Sequence, residues 1–222
     1  TVISTIITTM FAYAFSRNYL LGKKFYAALG FVSMYINGGI IATFLLISAL
    51  GMYNSYWVYI IPSLFGGFYN VIIYNANFKA IPESLFESAN IDGASEFKIF
   101  FSIVLPLSKP VLAALGVFTA CGVWNDYGTT LFYTQSSSLQ TLANYTLKLI
   151  KSSQAVEQLA ATVMQSNQSV SALVNSSMGS GETTSKTVEL AAMVLTTIPV
   201  VVAYPFVQKF FTKGVMVGSV KG

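Results

Sequence analysis

The 222-residue chain has no histidine and a single cysteine, Cys121. Without histidine there is no imidazole metal ligand and no His-based acid–base relay. A lone thiol excludes an internal disulfide framework. Charge is scarce as well: Asp, Glu, Lys and Arg make up 9% of the residues, against about 25% in ordinary soluble domains. That is too little to coat a water-facing surface. The net charge of +4 is spread over connecting segments, and no nucleic-acid partner is expected. What fills the chain instead is apolar, 54% hydrophobic with a mean hydropathy of +0.63, the composition of a polytopic membrane protein in a lipid bilayer. The opening Thr1-Val2-Ile3 carries no Met and no basic n-region, so it does not read as a signal peptide.

Five apolar segments stand against the roughly 20 residues that cross a bilayer. They fall at 1–15, about 26–50, about 57–76, about 110–132 and about 188–207. The first is short. The third contains Pro62 and Gly66-Gly67, breakers that neighbouring helices can accommodate in a membrane. Five spanning helices are therefore expected, in an all-α fold. Arg17, Lys23 and Lys24 follow the first segment, Lys79, Lys98 and Lys109 separate the third from the fourth, and Lys209, Lys213 and Lys221 follow the fifth. The positive-inside rule places these three regions in the cytoplasm. The uncharged "GMYNSY" turn and the 134–186 loop then lie outside, together with residue 1, which suggests a sixth spanning helix upstream in the intact protein.

The outer loop at 134–186 is polar, with one or two amphipathic helices expected over "LQTLANYTLKLIKSSQAVEQLAATVMQ" and a flexible tip at "NSSMGSGETTSK". Asn144-Tyr145-Thr146 and two other sites fit the glycosylation sequon, a pattern common by chance. "GSGETTSKT" is not a phosphate-binding loop, because the Gly required immediately before Lys186 is missing and no apolar strand leads into it.

The most polar helix-forming stretch lies mid-chain, between apolar segments. In "KAIPESLFESANID", Ile81, Leu85, Phe86 and Ala89 share one helical face, and Glu83, Glu87 and Asn90 share the other. Pro82 suits a first helical turn. Asp92-Gly93 reads as a turn, with a helical C-cap as the plainer use of Gly93. A second helix is expected from about Ala94, carrying Phe97, Phe100, Phe101 and Val104 on one face and stopping near Leu105-Pro106. Residues alone allow either an interfacial helix pair resting on headgroups or a knob that docks on a cytoplasmic partner.

The spacing here resembles the cytoplasmic signature of ABC importer permeases: Glu-Ala-Ala, three residues, Gly, nine residues, Ile-x-Leu-Pro. The chain has Glu87-Ser88-Ala89, Gly93 and Ile103-Val104-Leu105-Pro106 at that spacing, with Ser88 as the one departure. "AYAFSR" at 12–17, "ANIDGAS" at 89–95, "VWNDY" at 123–127 and "VQKFFTKGVMVGSVKG" at 207–222 are similar to the second permease subunit of maltose-type carbohydrate importers. The resemblance implies a type I ABC importer transmembrane domain over 1–222, truncated at its N-terminus, in a prokaryotic cytoplasmic membrane. It further implies partners: an ABC ATPase dimer that handles ATP and Mg, a second homologous permease and an extracytoplasmic solute-binding protein. This chain would carry no cofactor and no catalytic residue.

The same resemblance makes 79–108 the coupling segment, with Glu83, Leu85, Phe86, Glu87, Ser88, Ala89, Asp92, Gly93, Ala94 and Phe97 as its ATPase-coupling residues. Glu87 is the natural ionic contact, Leu85, Phe86 and Phe97 the apolar anchors. Polar residues inside a bilayer are costly and face a cavity or another helix. Those in the apolar segments are Asn37, Tyr69, Asn70, Tyr74, Asn75, Trp124, Asn125 and Asp126. Tyr69, Asn70, Trp124, Asn125 and Asp126 are the candidate sugar path, since aromatic faces stack on sugars and amides and carboxylates bond hydroxyls. The same residues could instead serve as interfacial belt or interhelical glue. An ion-coupled transporter or a non-sugar importer are the competing readings. If the long outer loop reaches a solute-binding protein or the partner permease, deleting residues 152–180 should lower both solute uptake and binding-protein docking, measured by transport and pull-down.

Overall fold

The computed structural model describes residues 1–36, 38–64, 67–166 and 185–219, all helix or connection with no strand among them. The chain folds as two compact units, Thr1–Val123 with Ala203–Gly222, and Trp124–Val202.

In the first unit, α1 (Val2–Ser16) packs along α5 (Phe68–Lys79). Their interface is aromatic. Tyr13 meets Phe100 and Phe78 with ring centroids 5.3 and 6.5 Å apart, and Phe78 stacks on Tyr74 at 6.1 Å. These rings form one buried cluster with Ala12, Val71, Phe86, Ala89, Ile99, Val104 and Leu115. Burying a large side chain of this kind contributes about 1.5–3 kcal/mol where water would otherwise cover it.

The second apolar segment does not form one straight span. Gly39 takes a φ of 72°, which only glycine adopts without strain, and the chain turns by 114° between α2 (Lys23–Tyr35) and α3 (Gly39–Ala49). The third segment divides into α4 (Trp57–Leu64), which keeps Pro62 inside it, and α5. Together they cover Trp57–Lys79, a stretch long and apolar enough by length and composition to cross a membrane. Where five spans are predicted, the described residues hold this one, and up to three if each bent helix pair is a single span; Val2–Ser16 and Glu189–Pro205 are shorter apolar helices.

The segment predicted over 79–108 holds α6 (Glu83–Ile91). Pro82 sits just before its first residue and Glu83 in its first turn, where a carboxylate complements the positive end of the helix dipole. The helix closes with two backbone bonds, Gly93 N–H to the Asn90 carbonyl at 3.0 Å and Ala94 N–H to the Ala89 carbonyl at 2.9 Å. Gly93 has φ 71°, so this is the paired-bond helix stop that favours glycine in a left-handed conformation. Ser95 then caps α7 (Glu96–Leu107), its hydroxyl accepting from Lys98 N–H at 3.4 Å.

The second helix differs from its predicted form. It starts at Glu96, two residues after Ala94, and passes through Pro106 to Leu107. Phe100–Val104 is π-helical. The wider turn brings residues five apart into line, so Ile99, Phe100 and Val104 are buried, whereas Phe97 and Phe101 point outward. The chain then bends by 82° at Ser108 into α8 (Lys109–Trp124).

In the second unit, α9 (Gly128–Tyr133) and a short turn at Ser137–Leu139 lead into α10 (Leu142–Ser166). The last helix, α11, is Ser185–Ser219. The region predicted as a loop over 134–186 is thus largely helical up to Ser166; its expected flexible tip at 175–186 lies outside the described residues up to 184, and Ser185 and Lys186 open α11. Asn144, in the only sequon among the described residues, is buried on α10, a placement that denies a glycosyltransferase access.

Gly30 of α2 lies against the Phe68 ring, where a Cβ would sit 2.3 Å from it. That ring is itself wedged between Phe15 and Phe31 and has little room to yield. Gly30→Ala should therefore destabilise the detergent-solubilised protein by about 1–3 kcal/mol, the usual cost of overpacking. Thermal unfolding checks this, and Phe68→Leu in the same chain should recover most of the loss.

Candidate coupling site

The segment's predicted residues divide by exposure. Phe86 is 7% exposed and Ala89 is also buried, both facing the aromatic cluster. Phe86 is therefore unavailable as an anchor for a partner, because it belongs to the protein's own core. The large apolar side chains turned outward are Leu85, Phe97 at 65% and Ile91 at 87% exposure. Ile91 lies outside the helical face that Ile81, Leu85, Phe86 and Ala89 define, so the periodicity of the segment does not mark it. Glu83, Glu87, Ser88, Asp92 and Gly93 are exposed, with Ala94 half-buried. Ser88 hydrogen-bonds back to the Ser84 carbonyl at 2.9 Å.

What holds this segment is a cluster absent from the predicted site. Arg17, one residue beyond α1, sets its guanidinium 4.4 Å from the centroid of the Phe86 ring. One of its nitrogens donates to Glu96 Oε1 at 3.2 Å, while Glu96 Oε2 accepts a hydrogen bond from the Tyr13 hydroxyl. Tyr13 and Tyr19 also lie beside the guanidinium, at 5.7 and 5.6 Å. The Arg17 side chain is 12% exposed and that of Glu96 42%. Stacking on aromatic faces adds about 0.5–2 kcal/mol as a site dries, and a hydrogen bond to a charged group about 1.5–3 kcal/mol. Glu96 therefore fastens α7 to α1, and Arg17 fastens α6 through Phe86.

Two regions that carry positive-inside charge in the sequence, the segment after α1 and the one after α5, thus meet through this cluster. An open cleft of about 550 Å³ adjoins it, walled by Arg17, Lys79, Glu83, Phe86, Glu87 and Glu96 among others. One sequence signal could have exposed the cluster: Tyr13 and Arg17 are four residues apart at the end of the first apolar segment, sharing a helical face, with a carboxylate directly after the cap residue Ser95.

The candidate sugar path falls in both units. In the first, Tyr69 is exposed and Asn70 half-buried on α5; Tyr74 is buried, and Asn75 Oδ1 is buried with no hydrogen-bond partner among the described residues. Asn37 lies outside the described residues. In the second, the Trp124 indole N–H donates to the Thr196 carbonyl at 3.1 Å, a tie between helices. Asp126 Oδ1 accepts from Thr129 N–H at 3.0 Å, capping α9. Asn125 and Asp126 line one cleft with Tyr127, Leu131, Phe132 and Lys151.

A family model described as the binding-protein-dependent transport system inner membrane component matches residues 2–217. The chain belongs to this family. Among its relatives in Bacillus subtilis (strain 168), the polygalacturonan/rhamnogalacturonan transport system permease protein YtcP is 38% identical, with 100% of this chain and 72% of that protein covered. Protein LplC is 34% identical over 100% of this chain and 70% of its own length. Among solved structures, a bacterial ABC transporter involved in importing the acidic polysaccharide alginate matches with a TM-score of 0.76 and 27% identity, covering 95% of this chain and 70% of that one. The permease is thus a membrane-embedded transport subunit of the ABC importer class and not an enzyme, in a family that works with separate ATPase and solute-binding proteins.

Burial alone would raise the Glu96 carboxyl, but hydrogen bonds from Tyr13 and Tyr19 and the charge of Arg17 outweigh it and hold it below its ordinary value. A lowered carboxylate stabilises the fold above its unfolded value of about 4.3 and loses that contribution as pH falls through the folded value. The thermal midpoint of the wild type should exceed that of Glu96→Gln at neutral pH, and the gap should close on acidification below about pH 4.

Proposed function

We propose that this permease is one of the membrane-spanning subunits of a prokaryotic importer that moves a sugar or oligosaccharide inward across the cytoplasmic membrane as a multi-pass protein. It would pair with a second, homologous permease. ATP and Mg would be handled by a dimeric ABC ATPase, with solute delivered by an extracytoplasmic binding protein. The observation that carries the coupling role is the form of residues 82–105: a short capped helix with an acidic outer edge, pinned at its inner face by Phe86 and Glu96. A rigid piece can transmit a partner's motion, whereas a floppy one absorbs it.

The docking surface would be Leu85, Glu87, Ile91, Asp92 and Phe97, with Glu83, Ser88 and Ala94 at its edges. Glu87 offers a carboxylate for a charge-assisted bond to a basic side chain. Phe86 and Ala89 would shape this surface from beneath, and Gly93 would set the turn beside it. The carbohydrate reading is supported by the names of YtcP, of the galactooligosaccharides transport permease GanQ of Bacillus subtilis, and of the alginate importer. On the sugar path, Asn125 and Asp126, beside Tyr127 and Lys151, present the mixture of amide, charge and ring that suits a hydroxylated solute. Tyr69 and Asn70 on α5 would be solute contacts of the first unit, proposed separately from that cleft. Trp124 has its N–H committed to Thr196 and would act chiefly in positioning.

Pull-down of the intact tagged protein from its native membranes, followed by mass spectrometry, tests this. Wild type should bring an ABC ATPase and a second permease. Gly93→Asp, which puts a side chain at φ 71°, should lose the ATPase while retaining the permease. Wild type purifying without either partner would overturn the proposal.

A further inference from the structure

We infer that Arg17 and Glu96 form a latch that passes motion of the coupling segment to α1, so that they are positioning residues for transport rather than docking residues for the ATPase. This rests on the coupling role proposed above.

Three observations converge on it. The first is connectivity. From α6 the covalent path into the membrane runs forward, through the Gly93 turn and α7 to α8. No peptide link joins α6 or α7 directly to α1, yet Arg17 and Glu96 tie α1 to both. The second is the character of the joint. Gly93 has nothing within 4 Å of where a Cβ would stand, so packing does not brace the turn between α6 and α7 there. Arg17 reaches both sides of that turn, its guanidinium 4.4 Å from the centroid of the Phe86 ring of α6 and one nitrogen donating to Glu96 of α7. One side chain at the end of a third helix thus ties the two halves above the buried cluster that Phe86, Ala89, Ile99 and Phe100 share.

The third is placement. Arg17 is mostly buried, and its Nε is buried with no hydrogen-bond partner among the described residues. Such a group has little surface to offer a docking protein, which separates it from exposed Glu87. Lysine could supply the charge but not the planar group that both stacks and donates in a fork. The latch should therefore discriminate between the two cations.

The experiment uses the whole transporter, purified with its ATPase, second permease and binding protein and reconstituted in liposomes. ATP hydrolysis and uptake of radiolabelled oligosaccharide are measured on the same vesicles for wild type, Glu96→Gln, Arg17→Lys, Arg17→Glu and the charge-exchanged pair Arg17→Glu with Glu96→Arg. In Glu96→Gln and Arg17→Lys, the ATPase should still co-purify and hydrolysis should stay within about twofold. Solute moved per ATP should fall roughly tenfold or more, the scale of losing one charge-assisted hydrogen bond. The exchanged pair should recover part of that ratio relative to Arg17→Glu alone.

An unchanged ratio in both conservative variants would overturn the inference. So would uptake and hydrolysis falling in proportion as the ATPase is lost, since that describes a docking residue. Wild type that assembles with no ATPase would instead sink the coupling reading itself.

Discussion

A guanidinium lying between a carboxylate and an aromatic ring fixes how the first unit is put together. Arg17 cannot give up its charge, so wherever it is buried something must compensate for the water it has lost. Here the compensation is shared between Glu96 and the faces of Phe86, Tyr13 and Tyr19. The partners come from three places in the sequence, the 13–19 stretch, Phe86 and Glu96, and satisfying this one cation draws α1, α6 and α7 together. The aromatic cluster beneath supplies apolar burial, but burial has no preferred direction. The ion pair and the ring geometry set the orientation.

That arrangement makes sense of a division of labour within the signature segment. Every third or fourth residue of α6 faces inward, so the same short helix must both seal a core and present a surface. Phe86 and Ala89 do the first, Leu85, Glu87 and Ile91 the second. A change at Phe86 would alter the outer surface without touching it. The small residue at Ala89 serves the same end, since a larger one would lift the helix off the rings of α5 and α7.

The helical class and the bent, glycine-marked segment before α8 are legible in the residues, because apolar runs, turn residues and caps act locally. The motif spacing from Glu87 to Pro106 locates the segment and its family. Less legible is which face looks where. A regular helical period puts Phe97, Phe100, Phe101 and Val104 together, yet one π-helical turn breaks that register and replaces two of them with Ile99. Straight spans are also easily over-read: Gly38-Gly39 in an apolar run looks innocuous until a positive φ turns the chain. Trp124 and Asp126 stand out as polar groups in apolar surroundings, but the residues do not announce their partners within the fold, the Thr196 carbonyl and the Thr129 N–H. The Arg17–Glu96 pair spans 79 positions, and no periodicity reports a contact at that range.

The 82° bend between α7 and α8 gives this helix pair the form of a bell crank. A rod pushed along its length moves a collinear neighbour along the same line, but across a right angle the stroke changes direction. Thrust delivered along α7, parallel to one arm, emerges at the base of α8 as sideways sweep across the other. Buried Ser108 stands at the corner of the two arms, so the lever's elbow lies inside the protein, where neighbouring side chains rather than solvent bear its load.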